Sequence, residues 1–179
     1  IQALTYLLIN SGSKIEIRES EAIFNKARIF FMLLSKKNMN QIVQRAFMDM
    51  FTAYTNTQLK SLHPEKCVEA FIGMNNVNLS STGYMNMSVS YFLLGRYSEA
   101  LSCVNKILNA KSNYRMDVQA ATKLFVLLIH YELRNMDLLP YISKTSERWL
   151  IKNNYPLKSC DKALISFFKY KLPKMDTIK

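Results

Sequence analysis

The sequence predicts an all-α fold built from antiparallel helix hairpins, with about seven or eight helices. Apolar residues recur at spacings of three and four along most of the chain, which places them on one face of each helix. Strand-type alternation of apolar and polar residues is not sustained anywhere. The chain has only 4 Gly and 4 Pro in 179 residues, and most of them fall at candidate helix boundaries.

Length and composition predict one folded domain over residues 1–179. A chain of this length can bury a sizeable core, and 49% hydrophobic residues argue against a disordered chain. Because the sequence begins with Ile1 and has no initiator methionine, we expect it to be part of a longer protein.

The clearest element is a helix hairpin over residues 84–109. Tyr84, Met87 and Tyr91 recur at three or four residues, so they share one face of the first helix. Gly95 marks the bend, since glycine adopts a left-handed conformation at little cost. A second apolar stripe follows the bend, and a connection this short makes the two helices antiparallel neighbours.

These residues resemble a tetratricopeptide repeat, a 34-residue helix hairpin with aromatic, small and alanine positions at fixed places. The resemblance covers residues 81–114 and is carried, in order, by Tyr84, Met87, Ser88, Tyr91, Ala100 and Val104. The sequence departs from the pattern at Ser112, where proline usually closes the repeat. The resemblance implies an α-α superhelix in which Tyr91 and Ala100 hold paired, buried places.

The flanking segments are interpreted as further helices, several of them degenerate repeats. We expect helices over residues 19–35, 42–54, 118–133, 137–152 and 157–172, and a short apolar piece over 2–10. Residues 57–80 do not fit a 34-residue frame. They form either an irregular half-repeat or an additional helix, which Pro64 would open at its first position.

The formal net charge is +11, of which +6 falls in the last 40 residues. Lysines of the last helix, Lys158, Lys162 and Lys169, form its polar side. The opposite, apolar side consists of Cys160, Ala163, Leu164, Phe167 and Phe168. The cysteines are 3 in number and widely spaced, which favours buried thiols and a reducing compartment such as the cytoplasm. No apolar run is long enough to span a bilayer, so membrane insertion is not expected.

Catalytic motifs are weak. His63 and Cys67 lie four residues apart and could share a helix face as metal ligands, but no second pair stands at metal-ligand spacing. We interpret His63 as a helix-start residue beside a buried thiol, and His130 as a structural histidine. No Gly-rich phosphate loop, nucleophile elbow or interpretable carboxylate pair occurs. The sequence therefore predicts no enzyme, no cofactor and no metal site.

The resemblance implies a protein-interaction or scaffold module that binds a protein or peptide on its concave face. Mapped onto this sequence, the partner-binding residues are Met85, Val89, Phe92, Gln119 and Lys123. The same mapping adds Leu93, Val126 and Leu127. Family members that clamp a C-terminal carboxylate use Lys and Asn there, so Val89 argues against such a clamp. Either the face grips an apolar peptide, or other helices of the chain fill it. The alternative is a regulatory domain of a nucleic-acid-associated protein that uses the basic last helix.

Overall fold

The computed structural model describes residues 17–35, 41–60, 62–72, 79–110 and 115–172, and these ranges are helical with no strand. Eight α-helices follow one another here: α1 Ile17–Ser35, α2 Gln41–Lys60, α3 Pro64–Ile72, α4 Ser81–Leu93, α5 Tyr97–Leu108, α6 Met116–Glu132, α7 Leu139–Lys152 and α8 Ser159–Ser166. A 3-10 turn, Met136–Leu138, precedes α7, and a π-helical segment, Phe167–Lys171, follows α8. The predicted all-α class and the helix number are confirmed.

The chain divides into two compact units, unit 1 over Ile1–Gly95 and unit 2 over Arg96–Lys179. Gly95, the last residue of unit 1, has a φ of +71°, the left-handed conformation predicted for the bend. Arg134, which follows the predicted helix over residues 118–133, has a φ of +59°.

Stacked aromatic rings form the centre of unit 1. The Phe24 ring of α1 lies 4.3 Å from Tyr54, 5.9 Å from Phe51 and 6.2 Å from Phe47, centroid to centroid. All four side chains are buried. Because the three partners of Phe24 come from α2, this cluster fixes the packing of α1 against α2.

A buried polar network joins α2 to α4 within unit 1. The Asn86 amide nitrogen donates to Thr55 Oγ1 at 2.8 Å, to Asn56 Oδ1 at 3.0 Å and to Thr52 O at 3.4 Å. At the start of α4, a β-carbon on Gly83 would lie 3.2 Å from Leu79 Cβ, tighter than ordinary contact. The absence of a side chain at Gly83 therefore leaves room for the Leu79 side chain. The hydrogen bonds of Asn86 fix the register of α4 against α2.

Helices α5 to α8 and the π-helical segment make up unit 2, where α6 packs against both α5 and α7. The core cluster around α7 consists of Ala120, Leu127, Leu139, Leu150, Ile165, Phe168 and Leu172. A buried hydroxyl, Ser143 Oγ, donates to Ile165 O at 2.9 Å and ties α8 to α7.

The predicted last helix is wrong in its start and in part of its buried side. Helix α8 begins at Ser159, because the Lys158 backbone N–H donates to Asp161 Oδ2 at 2.9 Å and caps the helix there. Cys160 and Ala163 are exposed rather than buried. Phe168 is buried as predicted, Leu164 and Phe167 are partly buried, and the rest of the buried face comes from Ile165 and Leu172.

The helix predicted at Pro64 is present as α3, with the proline at its first position. It ends at Ile72, and the rest of the predicted element lies outside the described residues, as does the apolar piece over 2–10. None of the described helices is both long enough and apolar enough to cross a membrane.

Candidate interaction surfaces

Three of the five predicted binding residues form an apolar row on α4 in unit 1. Met85, Val89 and Phe92 are spaced four and three residues apart and are all half-buried. Two leucines at the end of the helix, Leu93 and Leu94, are exposed. Leu93 lies beside the row, whereas Leu94 lies on the opposite side of the helix. We call Met85, Val89, Phe92 and Leu93 the apolar row of α4. Half-buried apolar side chains keep surface area that a partner could cover.

The other two predicted residues, Gln119 and Lys123, lie half-buried on α6 in unit 2. Lys123 is held against α7, because its Nζ lies 5.1 Å from the centre of the Trp149 ring. Ser146 Oγ donates to the backbone oxygen of Lys123 at 3.2 Å. Desolvation in this position lowers the pKa of Lys123. Sequence reasoning did not find Trp149 as a partner of Lys123.

The assignment of Val126 and Leu127 to the same binding face is wrong. Both side chains are buried in unit 2, and Leu127 belongs to the core cluster around α7. The reason is that α6 packs between α5 and α7, which leaves only part of its circumference for solvent.

The three lysines of the predicted basic helix do not act alike. The Nζ of Lys169 forms a 2.5 Å ion pair with Glu147 Oε2, and its side chain is only 19% exposed. Lys158 and Lys162 remain exposed. The ion pair neutralises one of the three charges on which a phosphate-binding role would depend.

A basic face that the sequence interpretation missed lies on α7. Lys144, Arg148 and Lys152 are exposed and spaced four residues apart, and Tyr141 and Ile151 beside them are 70% and 62% exposed. We call these five residues the cationic face of α7. Its spacing of three cations at i, i+4 and i+8 is visible in the sequence and could have identified it.

His63 immediately precedes α3, and Cys67 lies within that helix. His63 Nδ1 lies 3.1 Å from Glu65 Oε1 at the surface. Cys67 is buried, and burial raises the pKa of its thiol to about 11, as it does for Cys103. These two thiols stay protonated near neutral pH and are poor nucleophiles. Within the described part of the chain, no three His, Cys, Asp or Glu side chains form a group that could hold a metal ion.

An open groove of about 580 Å³ runs along α5. Its lining comes from one helix and the two residues after it, namely Ser98, Leu101, Ser102, Asn105, Lys106, Asn109 and Ala110. Because an active site needs polar groups that converge from several elements, this groove offers little for catalysis.

His130, at the end of α6, is the basis of a prediction about pH. Burial lowers its pKa, and the Asn135 amide lies 3.0 Å from Nδ1, where it can donate to the neutral ring. The unfolded chain therefore binds a proton at higher pH than the folded chain. We expect the free energy of unfolding to fall as pH drops from about 7 to about 5, and His130→Gln to flatten that slope.

The measurement is urea unfolding of the wild type and of His130→Gln across that pH interval. If both proteins lose stability with the same slope, His130 is not the group that titrates.

Neither a protein-family model, nor a curated protein, nor a solved structure matches this chain.

Proposed function

We propose that this chain is a non-enzymatic protein-interaction module of the tetratricopeptide type. The observation that carries the proposal is the apolar row of α4. Its exposed apolar surface is costly in water, at about 25 cal/mol per Å². In helical repeat proteins, such a row usually marks the surface that contacts a partner.

The proposed partner is a peptide or protein segment with apolar side chains at a helical spacing. Met85, Val89 and Phe92 lie on one side of α4, so an apolar peptide can contact all three at once. In unit 2, Gln119 and Lys123 are proposed as further partner contacts. Held over the Trp149 ring, the Lys123 ammonium is a positioned hydrogen-bond donor for an acceptor of the partner.

A non-enzymatic role is supported by the state of two of the three cysteines. The thiols of Cys67 and Cys103 are buried with raised pKa values. The alternative, a nucleic-acid-associated regulatory domain that uses the last helix, has weaker support because Lys169 is paired with Glu147.

The test is selection of peptides from a random display library on the purified chain, followed by binding measurements with the selected peptides. We expect apolar peptides whose affinity changes little between low and high salt. Val89→Glu should weaken their binding at least tenfold, because it places a charge in the middle of the apolar row.

The matched control is Ile29→Glu, which makes the same change at an exposed position of α1 in the same unit. It should leave the affinity unchanged, and circular dichroism should show that both variants remain helical. Equal loss of binding in the two variants, or peptides that bind Val89→Glu as well as the wild type, would contradict the proposal.

A further inference from the structure

We infer that the cationic face of α7 is a second docking surface, and that it fits an acidic protein segment. This goes beyond the proposed function, because it concerns a different helix, a different unit and a partner of opposite charge. It depends on Lys144, Arg148 and Lys152, with Tyr141 and Ile151 beside them, and not on the apolar row of α4.

The charges on this face are not neutralised by the chain that the structure describes. Helix α7 has a single carboxylate, Glu147, which is engaged by Lys169. None of the ion pairs among the described residues includes Lys144, Arg148 or Lys152. A partner that brings carboxylates to this face therefore gains attraction without displacing an internal pair.

The orientation of the face is fixed by the opposite side of the same helix. Leu139, Ser143, Ser146 and Leu150 are buried. The hydroxyls of Ser143 and Ser146 donate to backbone oxygens of Ile165 and Lys123. Helix α7 cannot rotate without breaking these bonds, so the cations stay directed to solvent.

The spacing of the cations matches that of a regular acidic segment. With a rise of about 1.5 Å per residue, charges four residues apart recur about every 6 Å along the helix. An acidic helix with a carboxylate at every fourth residue has the same repeat. Lys144, Arg148 and Lys152 can therefore each meet one carboxylate of such a helix lying alongside α7.

The apolar residues on the face favour a protein partner over a nucleic acid. Ile151 has no π face on which a base could stack, and only Tyr141 offers one. The Thr145 hydroxyl, beside the face, is already engaged with the backbone oxygens of Tyr141 and Ile142. Tyrosine and arginine, both present on this face, are enriched at the centres of protein interfaces.

A lipid surface is disfavoured because the apolar side of α7 is buried in the core of unit 2 and cannot enter a bilayer.

The net positive charge of the whole unit attracts an acidic partner at longer range. Residues 96–179 contain 15 Lys and Arg against 7 Asp and Glu, which accounts for +8 of the net +11. Such a field speeds the approach of acidic segments.

The test uses the full chain and a fluorescein-labelled helical peptide of about 16 residues, with glutamate at every fourth position and leucine near each end. The comparison probes are the same peptide with glutamine in place of glutamate, and a thymidine oligonucleotide of equal length. Fluorescence anisotropy is measured at low and at high salt. We expect binding of the acidic peptide alone, weakened by salt.

Arg148→Glu should weaken binding of the acidic peptide about fivefold, and reversal of all three cations should abolish it at the concentrations tested. The matched control is Lys106→Glu, the same change at an exposed lysine of α5 in unit 2. It should alter the affinity less than twofold. Val89→Glu should leave this peptide's affinity unchanged, so failure here is distinguishable from failure of the proposed function.

Three results would overturn the inference. One is the absence of binding to the acidic peptide at low salt. Another is equal weakening by Lys106→Glu and Arg148→Glu, which would show attraction to net charge alone. The third is tighter binding of the oligonucleotide that is lost in Arg148→Glu, which would assign the face to nucleic acid.

Discussion

Replacing Ala100 with glutamate is expected to lower the free energy of unfolding by about 3 kcal/mol or more. Ala100 is 0% exposed, on the side of α5 that also buries Cys103, Val104 and Ile107. A carboxylate at this position must either be buried without its hydrating water molecules or push α5 away from the helices that pack against it. The repeat pattern predicted the same buried position from the sequence alone.

The matched control is Ala121→Glu, since Ala121 lies exposed on α6 in the same unit. It makes the same chemical change and should alter stability by less than about 0.5 kcal/mol. Urea unfolding of both variants, followed by circular dichroism and by the fluorescence of Trp149, separates them. If Ala100→Glu unfolds at the wild-type urea concentration, the hairpin alignment is wrong.

Replacing Phe24 with alanine is expected to cost about 3–5 kcal/mol in the stability of unit 1. The deleted ring stacks on Tyr54 at 4.3 Å and contacts Phe47 and Phe51, so its removal leaves a cavity among rigid neighbours. Aromatic pairs of this kind add stability beyond their buried area.

The control for this variant is Ile29→Ala on the same helix, where the side chain is exposed and little packing is lost. Circular dichroism reports on both units, whereas the single tryptophan, Trp149, lies in unit 2. A loss smaller than about 1 kcal/mol for Phe24→Ala would show that the aromatic cluster does not hold α1 to α2.

Local features of the fold were predictable because neighbouring residues determine them. Gly95 follows a run of helical periodicity, and a residue without a side chain suits the left-handed bend found there. Pro64 opens α3 for an equally local reason, since its missing N–H is not needed in a first turn. Periodicity likewise placed Tyr91 and Ala100 on buried sides.

Features that join distant parts of the sequence were not predictable in this way. Asn86 meets acceptors about 30 positions earlier, and its polarity alone does not reveal that it is buried. From the sequence, Lys169 is interpreted as a solvent-facing charge. In the structure it pairs with Glu147, 22 positions away. Which acid pairs with which base depends on how whole helices pack, and helical periodicity carries no such information.

The candidate sites show the same division. The half-exposed positions of α4 followed from the repeat pattern, but Val126 and Leu127 were assigned wrongly, since burial on α6 depends on two neighbouring helices. The cations of α7 were visible as a spacing. Their lack of internal partners was not predictable, because it depends on the pairing of Glu147, the carboxylate of α7, with the distant Lys169.

The aromatic cluster of unit 1 has a consequence for biosynthesis. All four rings belong to residues 24–54, so they can come together before any of the 84 residues of unit 2 has been translated. At about 5–20 residues per second, the ribosome needs several seconds to make those residues. Helical proteins with local contacts fold in milliseconds or less. The three phenylalanines of this cluster can therefore be buried early, which shortens the time in which they are exposed to chaperones or to aggregation.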